Sequence, residues 1–312
     1  MVFAHSTRIL IGSIYSGLAV FILPIHLMIL SIFIAYKDYR DSAAYKIMLS
    51  IGVADCLQLL THIYTGLITL KKDNFSYGLE QLMGGLANAA WLAMIPQTFV
   101  LAFNRFYVFR NPKKNQSTYL VLVMLTCCWI FGGAYFVLYL TDLTGITYDN
   151  ENFCWGYDSG NWSEIVANVE YYTSVPILCL TFIVYLAVVV TIVIMRSSLT
   201  SDKRLLVKRE FMLLIQSFVI FLYTVVLICC WHYYMYFLPD SPWTPVVINV
   251  FWILFGALNP VLYLTMNSTI RNRFLRNFVY CKRKGNSVSA LMPSKQRQSE
   301  NSQRMTHTAT FP

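Results

Sequence analysis

The sequence has 312 residues, 57% of them hydrophobic and only 12% charged, with a formal net charge of +9. That charged share is about half of the ~25% usual in a soluble domain, so a soluble globular core is excluded and a membrane chain is expected. The positive balance falls in clusters between apolar stretches, which argues against a nucleic-acid surface.

A helix that crosses a bilayer takes about 20 mostly apolar residues. Seven stretches reach that length, at roughly 9–36, 45–70, 79–108, 118–141, 167–195, 207–238 and 245–267. Only short polar segments separate them. The predicted fold is an all-α membrane protein: a seven-transmembrane helix bundle with a short cytoplasmic surface helix. Residues 1–281 form that bundle with its surface helix, and residues 282–312 form a disordered cytoplasmic tail. No internal repeat is visible, which weakens an inverted-repeat transporter. The first apolar run is too long for a signal-peptide core and lacks a cleavage pattern, so it is expected to act as its own insertion signal.

In chain order, the first span carries Pro24 and His26. The second carries Asp55 in "IGVADCLQLL", about nine residues in and ~13 Å deep at ~1.5 Å per residue. A carboxylate at that depth costs roughly 2.5–3.5 kcal/mol unless partners satisfy it. Two readings stay open for Asp55: structural glue among polar neighbours, or a proton- or ion-sensitive coupling site. The third span holds Gln81, Asn88 and Trp91 and ends on "LAFNRFYVF", which sets Asn104 and Arg105 after a long apolar run. A membrane-edge anchor and a switch both fit that cation.

The fourth span holds Trp129, and the fifth holds Tyr171, Tyr172 and Pro176. His232, Tyr233 and Tyr234 end the sixth span, and Asn249 opens the seventh. Ligand sites in bundles are mostly apolar with a few polar groups. Gln81, Asn88, Trp91, Tyr171, Tyr172, His232, Tyr234 and Asn249 form such a group. Singly, tyrosine and tryptophan at these depths belong to the lipid–water belts. The seventh span continues into "ALNPVLYLTMN". There Pro260 removes a backbone donor and kinks the helix. Asn259 is placed to bond Asp55, and Tyr263 follows nearly one turn later. In "NSTIRNRFLRNF", Ile270, Phe274, Phe278 and Cys281 alternate with Arg271, Arg273 and Arg276, the pattern of a helix lying on a membrane surface.

Charge sets the expected orientation. Of the 24 Lys and Arg residues, only Arg8, Lys71 and Lys72 fall at the N-terminus and in the even-numbered gaps, and the other 21 fall on the opposite face. The positive-inside rule then puts the N-terminus outside and the C-terminus in the cytoplasm. The basic face attracts anionic membrane lipids. The second outer loop and the start of span five carry Asp142, Asp149, Glu151, Asp158, Glu164 and Glu170 with no Lys or Arg. Glycosylation sequons at Asn74 and Asn161 fall in outer loops, although Asn115 and Asn267 match the same pattern on the inner side.

Most of the eight cysteines lie within spans, where they read as small packing residues. Cys154 is the clearly extracellular one and has no evident disulfide partner. Cys281 precedes Lys282-Arg283-Lys284, the setting of a palmitoylated juxtamembrane cysteine, with a free cytosolic thiol as the alternative. There is no H-E-x-x-H, no Cys-x-x-Cys, no phosphate-binding G-x-x-x-x-G-K-[ST] and no G-x-S-x-G. Neither enzyme chemistry nor a metal or cofactor is indicated.

Seven spans with "ADCLQLL", "LAFNRFYVF", Trp129, Pro176 and "NPVLYLTMN" followed by a basic amphipathic segment resemble a rhodopsin-type G-protein-coupled receptor. "AYKIMLSIGVADCLQLL" after a short first loop further resembles nematode serpentine chemoreceptors, class T or class X. The resemblance implies an activation switch. Asp55 matches the buried acid of helix two, and Asn104-Arg105-Phe106 matches the Asp-Arg-Tyr triplet. Asn259, Pro260 and Tyr263 match the NPxxY of helix seven. Trp129 and Pro176 match structural residues of helices four and five. It implies a small-molecule ligand outside, a heterotrimeric G protein inside, and a plasma-membrane or sensory-cilium location.

The departures also matter. Asn104 replaces the acid beside Arg105, no cysteine stands at the outer end of helix three, and helix six has no proline. Ala87 stands where an amine-binding aspartate would be and Met94 where a sodium-binding serine would be, which argues for a non-aminergic ligand and against a standard sodium pocket. Two alternatives follow: a ligand-gated seven-helix channel or transporter, and an orphan receptor acting as a trafficking or scaffold partner. The first needs a polar file through the bundle, and Asp55 is the only acid expected deep in a helix.

Overall fold

The computed structural model describes residues 5–110, 118–196 and 201–277. Cys281, the sequon at Asn115 and the tail 282–312 lie outside the described residues. Helix α1 (His5–Ala35) is followed by a short α2 (Lys37–Arg40), then α3 (Ala43–Lys71), α4 (Tyr77–Arg110) and α5 (Thr118–Tyr139). A hairpin of β1 (Ile146–Asp149) and β2 (Cys154–Tyr157) precedes α6 (Ser163–Arg196), α7 (Ser201–Phe237) and α8 (Trp243–Met266). Seven of these helices are long and apolar enough to cross a membrane.

Lipid lets a helix be apolar all round, so burial rather than polarity separates inside from outside. α4 has 72% of its most apolar window buried and α6 only 22%. α4 is accordingly the central helix, packed against α3, α5, α6 and α7. α8 packs against α1, α3 and α7. Without a hydrophobic force between helices in lipid, close backbone approach at small residues holds such bundles together. Gly12 of α1 faces Gly66 of α3, where an added Cβ would sit 2.7 Å from the Gly12 carbonyl oxygen and 2.5 Å from Ser16 N. Prolines lie inside α1, α4, α6 and α8 at Pro24, Pro96, Pro176 and Pro260.

The hairpin is a feature that the sequence pattern does not announce. Its strands pair antiparallel with Ile146 opposite Tyr157 and Asp149 opposite Cys154. Asp149 closes the turn by accepting from the backbone N–H groups of Glu151 at 2.7 Å and Asn152 at 3.2 Å. The hairpin is fastened to three helices. Tyr148 N donates to Glu80 Oε1 of α4 at 2.6 Å. Trp155 Nε1 donates to Thr65 of α3 at 2.9 Å, and Tyr15 of α1 donates to the Phe153 carbonyl at 3.0 Å. Every cysteine among the described residues is free, Cys154 included. Burial, and then the nearby Asp149 carboxylate, push the Cys154 thiol up to about 12. The hairpin marks one end of the bundle, with Arg105 toward the other.

Residues 267–277 belong to a second unit. Asn267 caps a helix over 268–277, its Oδ1 accepting from the N–H groups of Thr269 and Ile270, each at 3.1 Å. This helix falls on the segment expected to form the short surface helix.

Candidate functional site

Three helices converge on Asp55, which is 1% exposed. Asn259 Nδ2 of α8 donates to Asp55 Oδ2 at 2.7 Å. His26 Nε2 of α1 lies 3.3 Å from the same oxygen. Buried polar groups in a bundle need such partners. Pro260 follows Asn259 inside α8 and is buried with it. Tyr263, one turn on, sets its ring edge-on to Phe33 of α1 at 5.4 Å. Its hydroxyl lies within electrostatic range of both Asp55 and Arg105. Asn104 and Arg105 are themselves buried, and Tyr185 of α6 lies within range of the guanidinium. The switch candidates therefore form a chain from mid-bundle toward the end opposite the hairpin. Trp129 Nε1 donates to Ser50 Oγ at 2.8 Å and ties α5 to α3. Pro176 lies exposed within α6.

Toward the hairpin end a cavity opens between α4, α6, α7 and α8. About 440 Å³ of space, part of it continuous with open solvent, lies between Asn88, Trp91, Glu170, Ser174, Leu227, Ile228, Trp231, His232 and Trp252. Of the sequence candidates for a pocket, Asn88, Trp91 and His232 line it. Tyr171 stands behind, its ring edge-on to His232 at 5.0 Å. Tyr172 is 71% exposed on the outer surface of α6. Gln81 donates to the Thr141 carbonyl at 3.0 Å and fastens the loop after α5. Asn249 is buried beside Tyr15 of α1, and Tyr234 is not among the lining residues.

Glu170, Ser174, Trp231 and Trp252 are lining residues that the sequence reading leaves out. Asp55 is also not the only acid buried in a helix: Glu80 and Glu170 are buried too. Both stand near helix starts, Glu170 in series with the acids of the preceding outer loop. The signal that finds Glu170 is the buried stripe of α6, which runs Val166, Glu170, Ser174, Leu178, Thr181, Tyr185, Val188 at intervals of three and four residues.

Trp252 joins the two regions. Besides lining the cavity it bounds a second, smaller void with Asp55, Gln58, Leu59, His62, Phe255 and Gly256. Its ring meets Trp231 at 5.3 Å, Trp91 at 6.1 Å and His62 at 5.0 Å, all edge-on.

A seven-helix bundle with a cavity at one end, a buried acid at mid-depth and a buried arginine toward the other defines a seven-transmembrane receptor architecture. Squid rhodopsin, a solved structure, has the same fold, with a TM-score of 0.73 at 12% identity, covering 100% of this chain and 94% of that one. Residues 2–287 match the serpentine type 7TM GPCR chemoreceptor Srt family, and the chain belongs to it. It is a multi-pass membrane protein of the G-protein-coupled chemoreceptor class. No curated protein sequence matches it.

Proposed function

We propose that the protein binds a small ligand in the cavity at the hairpin end and passes the event to a heterotrimeric G protein at the Arg105 end. The observation that carries this is the position of Trp252, whose ring walls the cavity on one side and the Asp55 void on the other. A ligand that moves this indole shifts packing around Asp55 and Asn259, and the two sites become coupled through one element. The positive-inside bias, three basic residues against 21, supports an outward-facing hairpin and a cytoplasmic Arg105 end. This orientation places the cavity toward the outside of a plasma membrane or sensory cilium.

The test is a G-protein activation assay in cells expressing the full chain, screened with odorants. Arg105→Ala is expected to reduce agonist-evoked activation at least tenfold while surface expression stays near wild type. Equal activation by wild type and Arg105→Ala would sink the mechanism. A ligand-evoked current that survives G-protein blockade would favour the channel alternative.

A further inference from the structure

We propose that the cavity takes a small organic cation, an alkyl- or arylammonium ion, with Glu170 as its counter-ion and the indoles of Trp91, Trp231 and Trp252 as its walls. This rests on the reading above that the cavity is the ligand site, and it names the chemical class that site admits.

The two oxygens of Glu170 are treated differently. Oε2 accepts from Asn88 Nδ2 at 3.0 Å, from the Tyr139 hydroxyl at 3.2 Å and from the Tyr157 hydroxyl of β2. Three donors converging on one oxygen match an acceptor-only group. Oε1 receives no hydrogen bond from any described residue, and Glu170 lines the cavity. The protein thus saturates the back of the carboxylate and leaves its front open. No Lys or Arg lines the cavity, and no cationic nitrogen among the described residues pairs with Glu170. A buried carboxylate calls for a partner of opposite charge, and here the ligand is the group that would supply it.

The walls suit the same guest. Trp91, Trp231 and Trp252 stand edge-to-face around one space, and indole faces attract a desolvated ammonium more strongly than phenyl rings do. Ser174, one turn from Glu170, adds a hydroxyl that accepts from an N–H. Ala87 argued against amines because the helix-three acid is absent. The acid in this cavity comes from α6 instead. The rival chemistry is a protonated Glu170 that donates from Oε1 to a neutral acceptor ligand.

The test uses the purified full chain and its thermal unfolding midpoint, which rises with any ligand that binds the folded state. The probes are phenethylammonium and hexyltrimethylammonium, with 2-phenylethanol and 1-hexanol as uncharged counterparts. At least one ammonium is expected to stabilise at concentrations tenfold or more below its counterpart. Glu170→Gln should abolish that advantage, and Glu170→Asp should keep part of it. Trp231→Leu leaves the Glu170 hydrogen bonds in place and should weaken the ammonium at least tenfold, so it decides the matter if Glu170→Gln fails to fold. Equal effects of charged and uncharged probes, no stabilisation by either ammonium, or undiminished binding in both Glu170→Gln and Trp231→Leu would overturn the proposal. Activation by uncharged ligands alone would overturn it and leave the receptor reading intact. Ammonium binding without G-protein activation would uphold the cation site and count against the receptor reading.

Discussion

Trp252 Nε1 donates to Gln58 Oε1 at 2.7 Å, and Gln58 stands one turn from Asp55 on α3. The wall of the cavity is therefore bonded to the helix that carries the buried acid. Gln58 lines the Asp55 void but not the larger cavity, so it separates transmission from binding.

Gln58→Leu removes the acceptor and leaves the Trp252 N–H buried and unsatisfied, at a cost of about 1–3 kcal/mol. Agonist affinity should stay within about twofold, because no cavity side chain changes. Potency in G-protein activation should fall about 2- to 30-fold, the range of a 0.5–2 kcal/mol loss of coupling. Binding and activation curves on the same membranes check this, and unchanged potency would remove the Trp252 route.

Gly84 carries the hairpin. A Cβ there would lie 2.3 Å from the Ile146 carbonyl oxygen and 2.8 Å from the Trp155 ring. Alanine in a helix normally gains about 0.5–1 kcal/mol over glycine. Overpacking costs about 1–3 kcal/mol, and the near contact is backbone, which yields least. Gly84→Ala should lower the unfolding temperature, while Gly133→Ala, with nothing within 4 Å of its Cβ, should hold or raise it. A stabilising Gly84→Ala would show that the hairpin is not seated as described.

The seven spans are legible because lipid demands long apolar runs whatever the details of packing. Asp55 and Asn259 are legible because a polar group at mid-bilayer is too costly to be incidental, and the structure brings the two together. The hairpin is hidden because each strand is four residues long and is held by side chains from α1, α3 and α4 that no local pattern announces. Glu170 is hidden by composition, since at the start of span five it continues the series of acids that begins in the outer loop. Tyr172 shows the converse: an aromatic at pocket depth that packing turns outward.

The thiol of Cys154, pushed up to about 12 by burial and Asp149, gives a pH-dependent prediction. Thiolate is the reactive form. An acid group whose folded value is raised is less ionised at a given pH, so reaction slows on folding. An ordinary thiol near 8.5 is about a quarter ionised at pH 8, and one near 12 about one part in 10⁴. Alkylation of Cys154 by a membrane-impermeant iodoacetamide at pH 8 should be at least ~100-fold slower in the folded protein than in detergent-denatured chain. Mass spectrometry of the labelled peptide measures both rates, and equal rates would place Cys154 in an open loop.

The two outer-loop sequons differ in accessibility. Asn161 is exposed, while the Asn74 side-chain oxygen accepts from Asn150 Nδ2 at 2.6 Å, between the α3–α4 loop and the hairpin turn. Asn161→Gln is therefore expected to remove a glycan-dependent gel shift and Asn74→Gln to leave it largely in place. The same experiment reads orientation, because glycan on either site requires an outward-facing hairpin. A shift abolished only by Asn115→Gln would reverse the topology.

Asn104 and Arg105 occupy consecutive positions of α4 and are both buried. The receptor resemblance implies an acid at 104 that restrains the arginine when no ligand is bound, and here that position is neutral. Asn104→Asp adds a charge beside a cation in a poorly solvated place. Two unit charges at ~4 Å attract by roughly 4 kcal/mol at an effective dielectric of 20, and desolvating the new carboxylate opposes much of that. The attraction acts only while Arg105 remains beside position 104 inside the bundle. The balance should favour the resting arrangement by about 1 kcal/mol, which is roughly a fivefold fall in ligand-independent G-protein activation. Surface expression must be matched when basal signalling is compared. Basal activity that stays level or rises in Asn104→Asp would mean that Arg105 is positioned by its other neighbours, such as Tyr185 and Tyr263, and that the residue at 104 does not set the resting state.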